Sequence, residues 1–418
     1  MSDENSQYVN VKNWYTKMTE DNKLITSENK DVICAAPWSH LYMDTAGLVR
    51  PCCTSDIVYG DSNTTSVNDI WHSQETINFR KNLINGITQP GCQFCYNQEK
   101  HTGGSLRTAL NVKYGDMIST DTTPEMIIKY LDIRSSNLCN MACVMCGSEY
   151  SSNWYADEVS LGHHHGDDSK KKFINITKKT ENDVIDNIIS NNIDLVYFAG
   201  GEPLITPYHY KLIDIMITMG IASNINLRYN TNLSTLKYKS IDITERWSHF
   251  KSVEICPSID MVGEHAEYHR YGTDWKQISA NLHMIRFKMP QINMAPQITI
   301  TALSIGYLPE LLTYFADELK FTDEDKIEFN FVFGATTLDP RNLPTDVKDM
   351  YTRKLESFLK ETPFVKLFET IISSSINYMH EADTQSRFQS MIDYLDTLDN
   401  LRGNDWKSLW PELRGTAV

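Results

Sequence analysis

Between about residue 125 and residue 345, six short apolar, β-rich runs alternate with amphipathic stretches. The runs are 128–133, 195–199, 226–229, 252–259, 297–302 and 327–333; residues 208–219 and 308–319 are two of the helical patterns between them. Strands separated by helices form parallel βαβ units, because a parallel neighbour needs a crossover. Six units make an incomplete barrel compared with the eight-unit form. The expected fold is therefore α/β, a partial (β/α)6 TIM barrel, and active sites of such folds lie at the C-terminal ends of the strands.

Two motifs fall at those ends. Cys139, Cys143 and Cys146 follow the first run as C-x3-C-x2-C, and Gly200-Gly201-Glu202-Pro203 follows the second. Three thiolates are one short of closing a tetrahedral metal site or a cubane cluster, so one position is left for an outside ligand. Soft thiolates suit iron–sulfur clusters or zinc. On the residues alone, a zinc knuckle with a distant fourth ligand and buried core thiols are also open. Paired glycines let a backbone approach a ligand closely and present N–H groups, and the adjacent carboxylate accepts from an ammonium group.

The chain has nine cysteines, eight of them within the first 146 residues. An odd, crowded set in a reducing compartment indicates metal ligands rather than disulfides. Cys34, Gly47, Cys52, Cys92 and Cys95 give the spacing C-x12-G-x4-C … C-x2-C, with Cys53 as a competing ligand. Gly47 falls where a two-strand turn needs positive φ. Spacing alone also fits a four-cysteine zinc site. Trp38 and Phe94 read as aromatic packing nearby, and Cys256 as buried core. The organisation expected is a polar lead-in over 1–33, a cysteine-rich domain and connector over 34–124, the barrel over 125–345, and a helical C-terminal extension over 346–418. The run His163-His164-His165 reads as a solvated loop.

The three-cysteine run followed by Gly200-Gly201-Glu202-Pro203-Leu204 resembles the radical S-adenosylmethionine (radical SAM) superfamily. The four-cysteine spacing resembles its twitch domain, the shortened relative of the SPASM domain. That domain usually follows the barrel, whereas here it precedes it. The resemblance implies that Cys139, Cys143 and Cys146 hold a [4Fe–4S] cluster whose free iron binds SAM. Reductive cleavage would then give a 5′-deoxyadenosyl radical that takes a substrate hydrogen. It further implies that Gly200, Gly201 and Glu202 hold the methionyl amino group. Asn230, Ser258 and Asp260 would be ribose or methionyl contacts, Arg270 a contact of the SAM carboxylate, and Met145 a neighbour of the adenine. Met145 departs from the usual aromatic residue at its position. Cys34, Cys52, Cys92 and Cys95 would hold an auxiliary [4Fe–4S] cluster for electron transfer, and a flavodoxin or ferredoxin would supply electrons.

The formal net charge of −15 argues against a nucleic-acid substrate, which needs clustered Lys and Arg. No signal peptide and no run of about 18 apolar residues is visible, so the expected location is the cytoplasm, with no membrane partner. Three functions are open: a peptide or protein maturase, a small-molecule dehydrogenase acting on a sugar or nucleoside, and a non-catalytic iron–sulfur or zinc scaffold. The maturase is the leading expectation. The open cysteine set beside Gly-Gly-Glu argues against the scaffold.

Overall fold

The structure, a computed structural model, describes residues 24–102, 104–162, 173–332, 335–382 and 384–414. The His163–His165 tract and most of the lead-in lie outside the described residues. The chain divides into two compact units. One comprises Met1–Ser136, Asn175–Gly200 and Tyr208–Leu227; the other comprises Asn137–Ile174, Gly201–Pro207 and Arg228–Val418.

In the first unit β1 (His40–Met43) turns back into β2 (Leu48–Arg50), and β3 (Gly60–Asp61) pairs antiparallel with β2. The β1–β2 turn passes through Gly47 at φ 87°, where an added Cβ would meet Asn63 Nδ2 at 2.5 Å. The other edge of β1 pairs in parallel with β4 (Tyr130–Ile133), which pairs in parallel with β5 (Leu195–Phe198). The strand order here is β5-β4-β1-β2-β3.

The cysteine-rich segment also contains helices Gln74–Ile84, Gln93–Thr102 and Leu106–Tyr114, although its sequence shows little long periodicity. Helix Gln74–Ile84 starts at Ser73, whose side chain accepts from the Thr76 N–H, and it buries Thr76, Phe79, Arg80 and Leu83. That is an i, i+3, i+4, i+7 stripe in which a hydroxyl and a guanidinium take apolar places. Arg80 is tolerated there because it donates to the carbonyls of Pro37, Trp71 and Thr122 and lies 4.6 Å over the Trp71 ring.

Strand β6 (Asn226–Thr231) is where the division between the units falls. In the second unit β7 (Lys237–Tyr238) and β8 (Ile241–Asp242) form a small antiparallel pair. β9 (Ser252–Pro257) pairs in parallel with β10 (Asn293–Met294), and β11 (Gln297–Ile300) with β12 (Glu328–Phe331). A parallel bridge from Ser258 to Gln297 links β9 to β11. The six expected runs coincide with β4, β5, β6, β9, β11 and β12, and the fold is the expected α/β class, a partial (β/α)6 barrel.

Near the N-terminal ends of three of these strands the second unit holds a buried ion network. Arg228 bonds Glu254 and lies 2.6 Å from Glu328, and Lys326 lies 2.6 Å from Glu328. The C-terminal extension forms helices Thr345–Glu361, Val365–His380 and Phe388–Arg402, the last ending at Gly403 with φ 69°. Trp406 and Trp410 are fully buried, and Trp410 Nε1 donates to the Leu303 carbonyl at 2.9 Å.

Candidate functional site

The loop carrying Cys139, Cys143 and Cys146 is held by its backbone. Ala142 N donates to the Tyr271 carbonyl at 2.7 Å and Val144 N to that of His269 at 2.9 Å. Trp154 Nε1 donates to the Cys143 carbonyl at 2.7 Å, Tyr394 Oη to that of Val144 at 2.6 Å, and Ser151 Oγ to that of Met141. With the main chain committed, the three side chains are left for a ligand. Burial pushes all three thiols up, Cys146 to about 12, although the Arg270 guanidinium works against this at Cys143 and Cys146. A cluster takes the place of those protons when it binds.

Gly201 packs against this loop. A Cβ on it would come within 2.3 Å of the Leu138 carbonyl oxygen, and the next residue, Glu202, donates its N–H to that oxygen at 2.7 Å. Gly200 adopts φ 106°. The Glu202 carboxylate is 1% exposed and accepts from Leu204 N, Thr231 Oγ1 and Asn232 N at 2.7–2.9 Å. Burial pushes its carboxyl up to about 7 against those three bonds. Asn232 Nδ2 donates to Asn140 Oδ1 at 2.9 Å, so the end of β6 also touches the cysteine loop.

Asp260, just beyond β9, is committed to its neighbours. Its Oδ2 lies 2.8 Å from Arg270 Nε and 3.0 Å from His269 Nδ1, and its Oδ1 accepts from Arg270 Nη2 at 3.0 Å and Thr299 N at 2.7 Å. Burial opposes ionisation, but Arg270 and His269 hold its carboxyl down at about 2. Arg270 Nη1 in turn approaches Cys143 Sγ at 3.9 Å. Ser258, Asp260 and Arg270 line one cavity together with His269 and Thr273. Asn230 lies half-buried on β6, and Met145 half-buried between Val144 and Cys146. Sequence reasoning missed Thr231, Asn232, Trp154, His269 and Tyr394. Only Thr231 and Asn232 had a signal, as neighbours of Asn230.

In the first unit Cys34, Cys52, Cys92 and Cys95 line a single cavity of about 390 Å³, its mouth included. Arg107 and Thr54 also line it, and Thr54 Oγ1 lies 3.3 Å from Cys52 Sγ and 3.8 Å from Cys95 Sγ. Cys34 is fixed by its flanks: Asn111 accepts from Ala35 N at 2.7 Å and donates to the Ile33 carbonyl at 2.9 Å. Burial drives the Cys34 thiol up to about 12 and that of Cys92 to about 11. Cys53 is not among the residues that line the cavity; its thiol lies in the field of Arg134 and Asp132. Among the described residues, no three His, Cys, Asp or Glu side chains are grouped as a single metal ion would need. Four thiols lining one cavity are a donor set that suits an iron–sulfur cluster.

Residues 34–96 match the SPASM family, an iron–sulfur cluster-binding domain. The matched segment carries Cys34, Cys52, Cys92 and Cys95. The match assigns this segment an iron–sulfur cluster. No curated protein matches the chain. Among solved structures, "Native anSMEcpe with bound AdoMet" is 17% identical with a TM-score of 0.37, covering 55% of this chain and 59% of that one. Streptococcus suis SuiB bound to S-adenosylmethionine is 14% identical with a TM-score of 0.38, covering 69% and 64%. The matches span less than two thirds of the length of either protein. Among the described residues no helix is long and apolar enough to cross a membrane.

Proposed function

We propose that this chain is a radical SAM enzyme that oxidises a peptide or protein substrate. In this reading Cys139, Cys143 and Cys146 hold the SAM-binding cluster, and Cys34, Cys52, Cys92 and Cys95 hold the auxiliary one. When bound, the first cluster supplies the electron that cleaves SAM. The chain's own residues bind and orient. Gly200 and Gly201 bring the backbone close to the methionyl end, and Glu202 accepts its amino group. Asn230 and Ser258 contact the ribose, Met145 packs by the adenine, and Arg270 pairs with the methionyl carboxylate while Asp260 holds it in place.

The observation that carries the reading is the cysteine loop itself, whose main chain is held at Met141, Ala142, Cys143 and Val144 while its three thiols crowd one electrostatic neighbourhood with Arg270. The cavity lined by four thiols supports net oxidation, because a closed cluster has no site for substrate and serves as an electron acceptor. The peptide half of the reading rests on the resemblance of that domain to the peptide maturases that give it its name. A flavodoxin or ferredoxin is the donor that fits.

The test is anaerobic reconstitution followed by reduction in the presence of SAM. The wild-type chain releases 5′-deoxyadenosine, and the Cys139→Ala/Cys143→Ala/Cys146→Ala variant does not. Release by that variant would overturn the assignment. A co-expressed peptide should lose the mass of two hydrogens; an unchanged peptide together with an oxidised sugar or nucleoside would reassign the substrate.

A further inference from the structure

Strands β1, β4 and β5 present two unlike faces. Leu41, Met43, Leu131, Ile133, Val196 and Phe198 are all buried and apolar. Phe198 meets His209, on the helix that follows β5, edge-on at 4.7 Å, so this face is the one covered by helix. The alternate residues form the opposite face. A parallel sheet buried on both faces ordinarily reads as a continuous apolar run. Here the second face is polar. Register places Tyr42 beside Asp132 and Asp132 beside Tyr197, with His40 beside Tyr130 one row below. Asp132 is 0% exposed, and the other four are also buried.

Arg134 completes this face just past the end of β4. Its Nε lies 3.5 Å from Asp132 Oδ1, and its guanidinium lies 5.1 Å over the Tyr42 ring. These two contacts occupy one edge and one flat side of the guanidinium. The terminal nitrogens, Nη1 and Nη2, make no hydrogen bond among the described residues. The Asp132 and Tyr42 fields hold Arg134 firmly charged despite burial. A half-buried cation with its Nε edge anchored keeps its terminal N–H groups as a fork for a planar oxyanion. The end of β4 is also the active end of such a sheet. The Cys53 thiol feels both Arg134 and the cluster-lining Cys95, so this face adjoins the auxiliary cavity.

The geometry points to Arg134 as a receptor for a carboxylate on the substrate, with Asp132 and Tyr42 as its positioning residues. The peptide reading makes that carboxylate an acidic side chain or a chain terminus, but the site does not depend on that reading. Two probes decide it, N-acetyl-aspartate amide and its neutral twin N-acetyl-asparagine amide. Binding to the cluster-loaded enzyme is followed by ligand-observed NMR. The aspartate probe is expected to bind at least about tenfold more tightly than the asparagine probe. Arg134→Gln should erase that preference, and Arg134→Lys, which keeps the charge but loses the fork, should restore only part of it. Far-ultraviolet circular dichroism and the unfolding midpoint establish that each variant is folded. Equal binding of both probes, or a preference that survives in a folded Arg134→Gln enzyme, overturns the proposal. An Arg134-dependent preference with no peptide oxidised would leave this site standing while the peptide reading falls.

Discussion

Gly201 sits so close to Leu138 that any Cβ at this position would come within 2.3 Å of the Leu138 carbonyl oxygen. The obstacle is backbone, so no rotamer change relieves it. The glycine is needed to let the turn after β5 clamp the segment that begins the cysteine loop, and the Glu202 N–H completes the clamp on the same oxygen at 2.7 Å. Gly201→Ala should therefore displace the loop rather than merely crowd it. We expect a loss of about 1–3 kcal/mol in urea unfolding and a larger loss of iron from the three-cysteine loop. Full iron content and unchanged stability in Gly201→Ala would show that the turn is not a clamp.

The ion network around Arg228 gives a sharper energetic test. Glu328 is 3% exposed and is held ionised, against the cost of burial, by Arg228 and Lys326. Arg228→Met leaves the Glu254 and Glu328 carboxylates with Lys326 as their one remaining cation within ion-pair distance among the described residues. Breaking a buried pair from one side costs about 3–5 kcal/mol. Arg228→Met/Glu328→Leu removes most of the uncompensated charge and should recover most of that loss. A double variant no more stable than Arg228→Met would mean that the network does not act as a unit.

The barrel strands were legible because each is a short, mostly apolar run bounded by turn residues: β4, β5, β9, β11 and β12 lie within the expected runs, and β6 runs two residues past the end of its own. The short β1–β3 strands and helix Gln74–Ile84 were not. The helix's buried stripe includes Thr76 and Arg80, and the Arg80 guanidinium is satisfied by the carbonyls of Pro37, Trp71 and Thr122, all outside the helix. The cysteine sets could be read from spacing, since ligand spacing is a local property. The supports of the loop could not: Tyr394 is 250 residues from its partner, Val144. The polar face of β1, β4 and β5 was hidden for a related reason. Tyr and His count as strand formers, so Tyr42, Tyr130 and Tyr197 look like ordinary β residues until register aligns them with Asp132.

The position of Cys53 separates it from its neighbour. Cys52 lines the four-cysteine cavity, whereas Cys53 lies in the field of Arg134 and Asp132. Two full cubanes correspond to about eight irons per chain. Cys52→Ala should lose up to about half of that iron and the matching visible absorption, while Cys53→Ala should keep nearly all of it. Equal iron loss in the two single variants would mean that Cys53 is a ligand.

Two buried histidines set a pH dependence of stability. Burial holds His40 and His209 down to about 3, far below the ordinary value of 6.5. His209 is 2% exposed and packs edge-on against Phe198 and Tyr210, each at 4.7 Å. In the unfolded chain both rings regain an ordinary pKa, so between pH 6.5 and about 3 the unfolded state binds more protons than the folded one. Stability is then fully present above pH 6.5 and is lost as pH falls through this window. The loss is at most about 1.4 kcal/mol per histidine for each pH unit. His209→Phe keeps an aromatic ring and removes one titrating group. Its unfolding free energy, measured in urea from pH 7 to pH 5, should fall less steeply than that of the wild type by close to one proton. The variant and wild type will differ most in slope near pH 5, where the unfolded imidazole is almost fully charged. Parallel curves would show that His209 titrates normally in the folded protein, and that its ring is reached by water despite its burial.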